Sequence, residues 1–254
     1  MLGSLGLRRR LRAAGLHLLI SAAVAGLAAV LVFGLWYPGP FRLLAGGSEL
    51  FFLVTSVDVI LGPLLTFAVF NSSKGRRHLR YDLTVIGLVQ SAALVYGLYT
   101  VLQVRPIAMV FEVDRFRLIT ASDVHTTELP KAPPEYQRLP LAGPWLLSAR
   151  APEPGAERQE ALFMGLRGID IGQRPSFWQP YAPAASAALA RSRPMNLLLT
   201  RYPDRAAELR LSLAAMNSDE ASARFLPVTA RGDGVAVLDG MGVVLGYLPV
   251  DGFF

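Results

Sequence analysis

The hydrophobic positions of this chain crowd into its first hundred residues, in three long and predominantly apolar runs: Leu16 to Trp36, Phe51 to Phe70 and Leu83 to Leu102. Each has about the ~20 residues that a helix needs to cross a hydrocarbon core. Beyond them the pattern changes to short alternating or helical segments broken by glycine and proline. Two domains are predicted: a membrane domain over 1–102 with helices at about 16–36, 51–70 and 83–102, and a second domain over 103–254. The second is long enough to bury a core of its own.

Within that second domain, IAMVFEVDRFRLIT (107–120) predicts a strand or a tight hairpin, because β-branched and aromatic residues flank the polar pair Asp114 and Arg115. TELPKAPPEYQRLPLAGPW carries Pro130, Pro133, Pro134, Pro140 and Pro144, which rules out a continuous helix and predicts an extended segment. Residues 156–167 have helical spacing and stop at Gly168. GIDIGQRPSFWQPYAP has the composition of an ordered loop. Its aromatics Phe177, Trp178 and Tyr181 either contact a partner or pin the loop to the core. Two helices are predicted at about 183–192 and 204–217, the latter opened by Pro203, which suits a first helical turn. RFLPVTA, VAVLD and VVLGYLPV, joined at RGDG and GMG, read as an antiparallel meander.

Composition supports the membrane assignment: 52% of residues are hydrophobic, 17% are charged and the mean hydropathy is +0.39. Charge then orients the helices. Arg8, Arg9, Arg10 and Arg12 precede the first run, and Lys74, Arg76, Arg77 and Arg80 separate the second from the third, whereas the intervening loop holds only Arg42. Basic flanks stay on the cytoplasmic side, so the amino terminus is cytoplasmic and the 103–254 domain lies outside. The first run is too long for a signal peptide and lacks a small-x-small cleavage pattern, so it reads as an uncleaved anchor. The net charge of +6 is a topology signal: residues 1–102 hold 9 Lys and Arg against 3 acids, and the remainder 16 against 16. That leaves no basic patch for nucleic acid. Without cysteine, neither a disulfide framework nor a thiolate metal site is available. The predicted class is a three-helix transmembrane bundle followed by an outside α+β domain with a small antiparallel sheet, whose lack of disulfides suits a bacterial periplasm.

The second run contains an acid, Asp58, whose placement at a helix centre costs about 2.5–3.5 kcal/mol. Helical spacing puts Thr55, Asp58, Gly62 and Thr66 on one small, polar face, opposite Phe, Leu and Val. Pro63 adds a kink beside it and frees the carbonyl of Val59. Depth along the helices makes Tyr96 the expected internal partner of Asp58, with Gln90 and Ser91 deeper and His17 too far away. Three readings stay open: an acid bonded within its own bundle, a face that recognises another protein's transmembrane helix, and a proton or ion pathway. Elsewhere chemistry is sparse. His125 is a lone loop histidine, Asp170 and Asp239 are isolated, no nucleophile-elbow or metal-ligand spacing occurs, and RGDG reads as a turn. The expectation is a membrane-anchored folding, docking or assembly factor, not an enzyme, and without a cofactor.

The stretches WYPGPF (36–41), VDVILGPLLTFAVFN (57–71), VFEVDRFRLIT (110–120), ELPKAPP (128–134), DIGQRPSFWQPY (170–181) and YLPVDGF (247–253) occur in the order and context of the TfpX/TfpZ family of type IV pilin accessory proteins, which this chain resembles over nearly its whole length. The resemblance implies an inner-membrane, chaperone-like factor that binds a cognate type IV pilin and supports its assembly into pili. Pilus assembly platform proteins are further candidate partners. It also nominates positions for partner binding: Asp58, Gly62 and Pro63, beside Thr55, in the membrane motif, and Asp170, Gln173, Arg174, Trp178 and Tyr181 in the loop motif. A pilin-modifying enzyme such as a glycosyltransferase is the alternative, although no Asp-x-Asp donor-site motif is present.

Overall fold

The computed structural model describes residues 2–70 and 75–254, with side chains described from Gly6 onward except that of Arg76. Lys74, one of the topology-setting cations, lies outside the described residues. The chain folds as two units, Met1–Leu35 with Gly47–Gln103, and Trp36–Gly46 with Val104–Phe254.

The first unit consists of three long helices, α1 (Leu2–Leu31, ending in a π-helical turn at Val32–Trp36), α3 (Gly47–Val69) and α4 (Arg76–Gln103). All three are long and apolar enough to span a membrane. Each extends past its apolar run, because the polar flanks add turns that hydrophobicity alone does not mark. Helix α3 packs against both α1 and α4, and it turns its small face inward: Thr55, Gly62 and Thr66 are buried. At Gly97 of α4 an added Cβ would lie 2.2 Å from Val54 Cγ1. This is the close approach that small residues permit between apolar helices.

The second unit takes in Trp36–Gly46, a segment the sequence reading placed with the membrane domain. It contains a one-turn helix, α2 (Phe41–Leu44). Tyr37 and Leu44 are fully buried there, and burial pushes the Tyr37 hydroxyl pKa up. The RGDG turn holds the segment. Gly232 N–H donates to the Leu44 carbonyl at 2.9 Å, a Cβ on Gly232 would sit 2.8 Å from the Leu43 carbonyl oxygen, and one on Gly234 would sit 2.4 Å from Leu44 Cδ2. Phe41 packs on Tyr247, with ring centroids 5.3 Å apart. The stretches WYPGPF, RGDG and YLPVDGF therefore meet in one place.

An eight-stranded sheet organises the rest: β1 (Pro106–Glu112), β2 (Arg115–Thr120), β3 (Trp145–Ala149), β4 (Trp178–Pro180), β5 (Arg193–Pro194), β6 (Arg224–Thr229), β7 (Val235–Leu238) and β8 (Val244–Leu248). Its order is β4-β3-β1-β2-β6-β7-β8, with β5 paired to β6. The predicted hairpin and meander are present, but the sheet is neither small nor wholly antiparallel, since β1 and β3, and β2 and β6, pair in parallel. Those pairings join strands far apart in sequence, and no turn signal announces them. Strand β1 is buried at every position, as befits a strand covered on both faces.

Helices α5 (Ala156–Leu166), α6 (Ala185–Arg191) and α8 (Ala206–Ala215) fall within the predicted ranges. Helix α7 (Met195–Arg201) was not expected; its apolar Met195, Leu198 and Leu199 are buried. Two cores flank the β2–β6 junction. Ile107, Val110, Ile119, Leu147 and Trp178 fill one. Met195, Leu198, Leu209, Leu213, Phe225 and Val237 fill the other.

Candidate functional site

Two polar clusters stand out, one in each unit. In the helical unit Asp58 is half-buried beside a cavity of about 170 Å3 between the three helices, lined on its polar side by His17, Ser21, Thr55, Asp58, Gln90 and Ser91. Gln90 closes the α3–α4 contact by donating from Nε2 to the Asp58 backbone carbonyl at 3.1 Å. It lies directly over Gly62, where a Cβ would come within 2.2 Å of Nε2. His17 bonds across from α1 to Thr66 Oγ1 at 2.5 Å, and Thr55 turns its hydroxyl back to the Phe51 carbonyl at 2.8 Å. Among the described residues the buried Gln90 Oε1 has no hydrogen-bond partner.

This geometry corrects two expectations. Tyr96 points outward, 73% exposed, and does not meet the acid, whereas His17, thought too distant, lines the same cavity as Asp58. Depth measured from the ends of the apolar runs misplaces these side chains, because α4 begins at Arg76 and α1 ends in a π-turn. Levels on the three helices are offset accordingly, and Gln90, about two turns from Tyr96, takes the bridging place. Pro63 lies within α3 next to this contact.

In the second unit the loop motif forms an ionic network. Arg174 donates from Nε to Glu128 Oε1 at 2.8 Å and from Nη2 to Glu160 Oε1 at 3.0 Å. Its guanidinium lies 4.8 Å from the Phe177 ring centroid, and its buried Nη1 has no hydrogen-bond partner among the described residues. Ser176 donates to the other Glu128 oxygen at 2.5 Å. Burial alone would raise the Glu128 pKa, but the bonds from Arg174 and Ser176 and the Arg174 charge outweigh it, and the carboxyl is held below the usual range.

A second arm runs through Arg117, which donates to Glu112 at 2.6 Å and also to the Asp170 carboxylate. Glu112 accepts in addition from Gly172 N–H at 3.0 Å. Burial pushes its pKa up despite the Arg117 charge. Asp170 and Gln173 form a reciprocal capping box around a single 3₁₀ turn, Ile171–Gln173, and Trp178 Nε1 donates to the Gly172 carbonyl at 2.7 Å. Tyr181 donates to the Gly242 carbonyl, and burial pushes its pKa up to about 12.

Arg174, Trp178 and Tyr181 are thus buried residues that set the shape of the loop from within, while Asp170 and Gln173 remain half-exposed at its edge. Glu112, Arg117 and Glu128 are central to the network and were not singled out from the sequence. The available signal was that all three lie in the quoted stretches VFEVDRFRLIT and ELPKAPP, and that Arg117 and Glu128 are opposite in charge to the loop residues Asp170 and Arg174 that they meet. Among the described residues no three His, Asp or Glu side chains converge as metal ligands.

Comparison with known proteins gives a consistent kinship. The fimbrial assembly protein FimB family matches over residues 6–46. A fimbrial assembly protein of serogroup I from Dichelobacter nodosus is 36% identical over 220 residues, 85% of each chain. The serogroup E1 protein of the same organism is 34% identical over the same shares. A third, of serogroups C1 and C2, is 42% identical over 118 residues, which are 46% of this chain and 90% of that protein. No solved structure matches.

Proposed function

We propose, from the premise that this chain belongs to the fimbrial assembly protein family, that it is an inner-membrane accessory factor of the TfpX/TfpZ kind, which binds a cognate type IV pilin and promotes its assembly. Its amino terminus is cytoplasmic and its sheet domain periplasmic in this reading. The relatives are named for fimbrial assembly, and three apolar helices joined to a folded domain suit a partner that has one part in lipid and one outside it. The action is contact and positioning, not chemistry.

The observation that carries the reading is the Asp58 cavity. Its carboxyl group has no side-chain hydrogen bond among the described residues, and the buried Gln90 Oε1 beside it is also an unmatched acceptor. Small residues at the margin, Ser21, Ala25, Gly87 and Ser91, permit a further helix to approach closely. A subunit helix that presents a hydrogen-bond donor at this level would satisfy the half-buried Asp58 carboxyl. Asp170, Gln173, Arg174, Trp178 and Tyr181 contribute by fixing the loop surface offered to the subunit's outer part, and Thr55, Gly62 and Pro63 by shaping α3 around the acid. Asp58→Asn and Asp58→Leu variants, checked for normal insertion and abundance, test this. Reduced piliation, more severe for Leu, is expected; wild-type pilus numbers in both would refute helix recognition at this acid.

A further inference from the structure

Asp58 is the middle residue of α3 (Gly47–Val69), and an acid at the centre of a membrane-length helix is costly unless a cation or another polar partner meets it. The cavity beside it supplies no cation. Its walls hold neither Lys nor Arg, and His17, the other titratable group there, is turned to Thr66 at 2.5 Å. Among the described residues the Asp58 carboxyl has no ion pair and no side-chain hydrogen bond.

The rest of the lining carries the same sign. Thr55 spends its hydroxyl proton on the Phe51 carbonyl and so offers the cavity only lone pairs. Gln90 turns its Nε2 to the Asp58 backbone and leaves Oε1, the negative end of its dipole, unmatched among the described residues. Ser21 and Ser91 add hydroxyls, and Ile20, Val24 and Leu94 complete the wall with apolar surface. The cavity is therefore net negative and rich in acceptors. Its volume of about 170 Å3 has room for several water-sized groups, enough for a small polar head on a short aliphatic stem. Asp58 is half-buried, which leaves its carboxyl within reach of a guest.

We infer that this cavity binds an ammonium group carried by the membrane segment of the fimbrial subunit. Its three N–H donors meet the Asp58 carboxylate and the hydroxyls of Ser21 and Ser91, and its methylenes lie against Val24 and Leu94. A guanidinium is broader and spreads five donors over a rigid plane, more than these groups match. A neutral donor would leave a carboxylate charge uncompensated where water does not screen it. The inference rests on the assembly reading above and deepens it, since that reading asks only for a hydrogen-bond donor at this level.

The test uses the full chain in cells that assemble pili, with a photocrosslinker at Ala25 on the cavity wall. It compares Asp58→Glu, Asp58→Asn, and Asp58→Asn combined with Ser91→Asp, at matched abundance and insertion. Asparagine keeps the shape and still accepts hydrogen bonds but carries no charge. Glutamate keeps the charge at a longer reach, and the double variant returns the charge to the cavity from α4. Crosslinking to the subunit is expected to fall about tenfold in Asp58→Asn, the margin between a charge-assisted and a neutral hydrogen bond, and to recover in Asp58→Glu or in the double variant. The crosslinked subunit peptide is expected to carry a lysine or the free amino terminus beside the attachment point, and mapping by mass spectrometry tells these two apart. Wild-type crosslinking in Asp58→Asn, no recovery in either charged variant, or a subunit peptide without an amine would overturn the inference and leave the assembly reading standing. A wild-type protein that crosslinks to no subunit defeats both.

Discussion

Truncation of Leu44 to alanine should destabilise the sheet domain even though Leu44 lies sixty residues upstream of it, in the segment between α1 and α3. The side chain is 2% exposed and its backbone carbonyl is held by Gly232 at 2.9 Å. Large-to-small changes at such a site cost about 2–5 kcal/mol, which for a unit of this size corresponds to a fall of roughly 4–20 °C in Tm. Gly234→Ala attacks the same contact from the other side, since its new Cβ would lie 2.4 Å from Leu44 Cδ2, and overpacking of this kind costs about 1–3 kcal/mol. The two changes should not add. In the Leu44→Ala background the clashing methyl is gone, so Gly234→Ala should be close to neutral. Thermal unfolding of the four full-length proteins in one detergent, followed by near-ultraviolet circular dichroism, measures the cycle. Additive losses, or a Leu44→Ala protein with the wild-type Tm, would refute the claim that Trp36–Gly46 is an integral part of this domain.

Two further outcomes follow from the ionic network. Arg174→Met leaves Glu128 buried without its cation and should cost about 3–5 kcal/mol, seen as a lower denaturation midpoint; Arg174→Lys should rescue little, because a lysine cannot bond Glu128 and Glu160 from one planar fork. Full stability in Arg174→Met would count against the network. Glu157, hydrogen-bonded by Arg150 and by the Glu153 amide, has its pKa lowered to about 2. A depressed carboxyl stabilises the fold above its unfolded pKa and loses that contribution as pH falls through the folded value, so Glu157→Gln should flatten the decline in Tm between about pH 4.5 and 2. An unchanged pH profile would contradict the assignment.

Periodicity sufficed for the three long helices, the β1–β2 hairpin and the β6–β8 meander, since each is a local pattern that one segment can carry. The parallel pairings of β3 and β6 were not legible, because they bring together strands separated by long connections. Nor was the membership of Trp36–Gly46 in the second unit: a buried Leu44 and an exposed loop leucine look alike in sequence. The small face of α3 was visible from the spacing of Thr55, Asp58, Gly62 and Thr66. What filled it was not, because Gln90 and His17 reach it through helix offsets that only packing sets. The loop motif was recognisable as ordered, but its burial depended on Glu112, Arg117 and Glu128, which lie roughly 40 to 60 residues away in the chain.

Direct contact with the pilin is the central claim, and in-membrane photocrosslinking from Ser91, at the margin of the Asp58 cavity, tests it most directly. The account predicts a crosslinked product that contains the pilin's hydrophobic helix, identified by mass spectrometry and diminished by Asp58→Leu. Products confined to this chain, from a protein normally abundant and inserted, would contradict it.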